Sequence, residues 1–221
     1  MTKETFMSKG KIIQTIGLIS CALIIGIFLI KTFSFFFDNF RIPLIDLINN
    51  YLSIFIVFIF LSLRHILVTT LKLDNFKSTI NLIIILQLII LSLLFYMRFD
   101  GNFERMKIIS IPWGISAFIV LLLNLWFFIL ILRIKRKEIT GLIYLKLYAL
   151  IAILITITRV VLSLILINSH IQYPFFFNFI EIVLVIPYLS LCVFLFLNFR
   201  KLSIDKVVIE TEDELDLQIT K

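Results

Sequence analysis

Apolar positions in this chain come in long continuous runs, and short clusters of charge separate them. The first run is Ile12 to Ile30, which continues past Lys31. Reading each run to its charged borders predicts helices over residues 12–37, 44–64, 78–98, 108–132, 143–168 and 175–199. About 20 residues of helix, rising 1.5 Å each, cross a hydrocarbon core of about 30 Å, and every run reaches that length. The runs do not alternate, which argues against barrel strands. The predicted fold class is therefore all-α: a polytopic membrane protein with six transmembrane helices arranged as three helical hairpins. The first run reads as a retained signal anchor, because no small-residue cleavage pattern follows it. Residues 202–221 break the pattern. With six acids and two lysines from residue 204 onward, they read as an acidic, flexible cytoplasmic tail.

Three of the four prolines are expected to open helices that run inward: Pro43, Pro112 and Pro174. Proline suits a first helical turn, where its missing N–H has no partner to lose. Pro187 lies inside the last run and should kink it, freeing the carbonyl of Val183. After the second run, Ile66 to Leu73 reads as an amphipathic turn at the interface, with Arg64 and His65 among the headgroups.

Composition supports the same picture. The chain is 61% hydrophobic and 16% charged, against about 45–50% and about 25% in soluble domains. A soluble domain of this size could not hide so much apolar surface, which excludes a soluble enzyme, a disordered tail and a free nucleic-acid-binding domain. The formal charge of +7 lies in loop clusters and does not form a nucleic-acid-binding face. Fourteen Lys and Arg fall on one side of the predicted helices and four on the other: Arg41, Arg98, Arg105 and Lys107. The positive-inside bias then places both termini in the cytoplasm, in a plasma (inner) membrane.

Polar residues inside apolar helices are costly and mark candidate sites. Each hairpin holds one candidate pair. Arg159 and Glu181 both fall roughly 10–14 Å below the outer surface, counting 1.5 Å per residue, and are expected to bridge. Thr156, Arg159 and Ser163 share one stripe of their helix. In the first hairpin Lys31 and Asp46 lie near the outer interface, with Asn50 on the stripe of Asp46. In the second, Gln87 and Asn124 are roughly level and are expected to hydrogen-bond between helices. Arg159, Glu181, Thr156, Ser163, Lys31, Asp46 and Asn50 are thus the expected binding residues of an outward-facing polar cavity, rimmed by Trp113 and Tyr173. Gln87 and Asn124 form an expected interhelical polar contact.

The chemistry expected is binding, not catalysis. His65 and His170 are predicted on opposite sides of the membrane and cannot share a ligand. Cys21 and Cys192 sit in apolar runs and read as small packing residues, so no metal and no cofactor is expected. Neither a nucleophile motif nor a Gly-rich phosphate loop occurs. The architecture resembles the substrate-binding subunits of vitamin transporters and the sensor domains of peptide-responsive kinases, and such an analogy carries no function by itself. The expected function is a non-catalytic integral membrane subunit, sensory or binding, that acts in the lipid bilayer through a membrane-protein partner or as a homo-oligomer. The alternative is a small transporter or channel built around Arg159 and Glu181.

Overall fold

The structure, a computed structural model, describes residues 3–36, 52–99, 103–135, 139–169 and 183–201. The long elements in that part of the chain are helices, and there is no strand among the described residues. In chain order they are α1 (Lys3–Phe36), α2 (Leu52–Arg64), α3 (Lys77–Phe99), α4 (Phe103–Leu132), α5 (Leu142–Ser169) and α6 over residues 185–201. Five of the stretches described are long and apolar enough to cross a membrane: Lys9–Phe33, Leu52–Thr70, Asp74–Met97, Lys107–Leu132 and Leu142–Leu162. Phe118, Leu154 and Ile186 each leave more than half their surface outside the bundle. An outer face built from such residues matches an apolar solvent, not water.

Three boundaries differ from the sequence reading, for related reasons. α1 begins at Lys3, ahead of Ile12, because charge ends the apolar run without ending the helix. At about 51 Å its 34 residues exceed the hydrocarbon thickness. α2 does not stop at Arg64. It continues through a π-helical turn, His65–Thr70, in which Leu71 N–H reaches the carbonyl of Ile66 at 2.9 Å. Ile66 and Leu67 are buried there, so core packing holds this segment against the bundle. Lys72, with φ of 52°, then turns the chain into a short 3-10 turn, Asp74–Phe76. Pro112 does not open α4, which starts at Phe103 and carries the proline inside. At Leu184 a single turn residue interrupts the helical run, three residues before Pro187, where a proline inside a helix is expected to disturb it. Pro43, Pro174, residues 44–51 and 175–182, and the tail from residue 202 lie outside the described residues.

Consecutive helices pack on one another from α1 through α5, and α6 closes the bundle against both ends of that series. Its Tyr188 ring lies 5.9 Å from Phe28 of α1 and 6.3 Å from Tyr148 of α5. Asn198 Nδ2 donates to the carbonyl of Thr140 at 3.3 Å. The α1 seam is a heptad: Gly10, Gln14, Gly17, Cys21, Ile24 and Phe28 are all buried at alternating spacings of four and three. That is the period of antiparallel helices crossing at a shallow angle. It sets the start of α1 beside the end of α2, where Gly10 faces the His65 ring. Arg64 Nε donates to Asn81 Oδ1 of α3 at 2.7 Å. The antiparallel order gathers Arg64, Lys77, Arg133, Arg200 and Lys201 at one end of the bundle, its basic end. Just above that end an aromatic layer crosses the bundle, with Phe60–Phe127 at 5.4 Å, Phe127–Phe128 at 6.0 Å and Phe128–Tyr148 edge-on at 5.5 Å.

Candidate functional site

Beyond the aromatic layer, α3, α4, α5 and α6 line a half-open cavity of about 500 Å³. One face of α5 forms its long wall, because Tyr148, Ala152, Ile155 and Arg159 recur at helical spacing and all line it. The rise from Tyr148 to Arg159 makes that wall about 17 Å long. Small side chains make the room: Ala117 on α4 and Ala152 on α5 lie where a larger residue would fill the space. α6 contributes Leu184, Pro187 and Tyr188, so the helix break at Leu184 is part of the wall.

Six polar side chains share this lining: Gln87, Asn124, Tyr148, Thr156, Arg159 and Tyr188. Gln87 is only 7% exposed. Asn124 Oδ1 is fully buried and has no hydrogen-bond partner. Leaving such an acceptor unpaired costs about 1–3 kcal/mol, so its position at a cavity wall marks a place where a donor belongs. Thr156 spends its hydroxyl proton on the carbonyl of Ala152 at 2.7 Å, and its oxygen remains able to accept. Arg159 is exposed, at the far end from the aromatic layer. The lining therefore offers amides and hydroxyls along its length and one guanidinium at its end, a set suited to holding and orienting a ligand.

The structure regroups the residues singled out from sequence. Gln87 and Asn124 belong to one cavity with Thr156 and Arg159, although the sequence assigned them to different hairpins. No hydrogen bond joins Gln87 to Asn124 among the described residues, and the two amides line the same space between helices. Lys31 is not part of the cavity. It stands on α1 with its ammonium 5.9 Å from the Phe28 ring centroid. Trp113 is exposed on α4 and does not belong to the lining. Ser163 lies in α5 four residues beyond Arg159, with its side chain outside the described residues. Glu181, Asp46, Asn50 and Tyr173 also lie outside the described residues.

Tyr148 and Tyr188 were not foreseen as site residues. Their signal was present in part: Tyr148, Ala152, Thr156 and Arg159 make one stripe that begins two turns before the Thr156 at which the sequence reading started it. Tyr188 carried no such signal, because its place depends on how α6 closes against α1 and α5. Neither a protein-family model, nor a curated protein, nor a solved structure matches this chain.

Proposed function

We propose that this chain is a non-catalytic membrane module that binds a small ligand among α3, α4, α5 and α6 and acts through a partner in the membrane. The observation that carries this reading is the cavity with the unpartnered Asn124 carbonyl in its wall. Its volume falls in the range of ligand pockets, about 300–1,000 Å³. Six spanning helices in three hairpins, with the basic end in the cytoplasm, complete the proposal. In that orientation Arg159 faces outward and the aromatic layer closes the cavity on the cytoplasmic side.

Filling the cavity tests the reading. Ala152→Phe places a ring in the space while leaving the polar lining chemically intact. Protein purified in mild detergent and examined by native mass spectrometry is expected to carry a bound small molecule that the Ala152→Phe variant loses, with the thermal midpoint kept or raised. A variant that folds and keeps the same bound molecule rejects the site.

A second reading, a small transporter, draws on Pro187. A helix broken in the cavity wall can adopt two packings, as in transporters whose sites are built on interrupted helices. Under that reading the bound molecule crosses reconstituted vesicles, whereas a binding module retains it on one side.

Orientation has its own test. Cysteines introduced at Asn102 and Gln172 are expected to react with impermeant reagents from outside, and those at Lys137 and Glu212 from inside only. The reverse pattern overturns the orientation and the outward placement of Arg159.

A further inference from the structure

The two cysteines stand 171 positions apart in the chain, on helices that the sequence gives no reason to join. The structure places them side by side. Cys21, fully buried on α1, donates its S–H to the carbonyl of Tyr188 at 3.2 Å. Cys192 lies one helical turn further along α6, beside the carbonyl that Cys21 meets, because a helical carbonyl points at the backbone four residues on. Both are free thiols. They differ in access. Cys192 is half-buried and sits between Leu189 and Phe196, which are 55% and 51% exposed on the outer face of α6. A reagent dissolved in the surrounding acyl chains can therefore reach Cys192, while Cys21 is fully buried.

We propose that Cys21 and Cys192 form an intramembrane dithiol that lipid-soluble hydroperoxides convert to a disulfide, tying α1 to α6. In the first step the sulfur of Cys192 takes the outer oxygen of the hydroperoxide. The O–O bond breaks, an alcohol leaves, and Cys192 becomes a sulfenic acid. In the second step the sulfur of Cys21 attacks that of Cys192. The S–O bond breaks and the S–S bond forms, and the Cys21 proton leaves with the oxygen as water. Two thiols and one hydroperoxide thus give one disulfide, one alcohol and one water, with both thiols oxidised and the peroxide reduced. The order of events follows from access, since the exposed thiol meets the oxidant and the buried one resolves it. The site adjoins the ligand cavity, because Tyr188, whose carbonyl holds Cys21, also lines the cavity wall.

The test uses the full-length protein in native-like vesicles treated with cumene hydroperoxide. The expected product is a reductant-sensitive Cys21–Cys192 disulfide, mapped by peptide mass spectrometry. Closing so long a loop should raise the thermal midpoint by about 5 °C or more, reversibly on reduction. Cys21→Ser should instead accumulate a sulfenic acid on Cys192 that dimedone traps, and Cys192→Ser should leave Cys21 unoxidised. Sulfinic acid on Cys192 of the wild-type chain with no disulfide, or two unreacted thiols, overturns the proposal. Because the wild-type chain gives the decisive reading, a poorly folding cysteine variant does not remove the test.

Discussion

Replacing Gly17 by alanine is expected to loosen the contact between α1 and α2 and to lower the thermal midpoint in detergent by about 2–6 °C. A Cβ built on Gly17 falls 2.3 Å from Ser62 Cβ and 2.6 Å from Ser62 Oγ. The first of those atoms is fixed to the backbone, so no rotamer relieves the clash and the helices themselves must separate. Overpacking of that kind costs about 1–3 kcal/mol. Alanine returns up to about 1 kcal/mol through its better helix propensity, so the loss is expected to win. Gly10→Ala should cost less, because its Cβ meets the tip of the His65 ring, 2.4 Å from Nε2, and a ring can turn. Gly26→Ala serves as the control: nothing lies within 4 Å of its Cβ, so propensity alone should leave it neutral or slightly more stable. Adding Ser62→Gly to Gly17→Ala restores the space and should recover most of the loss. The α1–α2 geometry is wrong if Gly17→Ala is as stable as Gly26→Ala.

That contact also shows where the sequence could be read and where it could not. The long apolar runs were sufficient to predict helices, since length and hydropathy are local properties. Helix ends were less legible, because charge marks the limit of the hydrocarbon and not the limit of the helix, as Lys3 and Phe103 both show. Glycine is scarce, at six residues in the chain. Yet Gly10 and Gly17 hold the same position in successive heptads of one seam, where two small residues are enough to bring α1 against α2. Polar residues could be picked out as candidates but not grouped. Gln87 and Asn124 were placed at one level by counting from helix ends, and Arg159 and Thr156 by counting along α5. Nothing local shows that four helices surround one space, since that depends on which neighbour each helix turns toward. Cys21 and Cys192 make the same point, as their meeting follows from the closure of α6 on α1 across nearly the whole chain.

The Asn124 carbonyl separates a structural role for the cavity from a binding one. Asn124→Leu keeps nearly the same side-chain volume and removes the buried acceptor. If the residue only fills space, the variant sheds an unpaired polar group and should gain stability, with no change in any molecule that accompanies the protein. If the carbonyl receives a donor from a ligand, the gain in the empty protein comes with a loss in binding. Losing a hydrogen bond to a buried acceptor costs about 1–3 kcal/mol, a factor of roughly 5 to 150 in affinity. The expected result is both at once: a thermal midpoint raised by a few degrees, about 2–4 °C per kcal/mol gained, and loss of the small molecule that the wild-type protein carries through purification. Gln87→Leu should weaken binding in the same direction with a smaller gain in stability, since Gln87 has no fully buried atom left unpaired. Retained binding in a stabilised Asn124→Leu protein would remove the observation on which the proposed function rests. Loss of binding together with loss of stability would point instead to a wall that has collapsed, and the Ala152→Phe variant, with its lining amides intact, distinguishes that case.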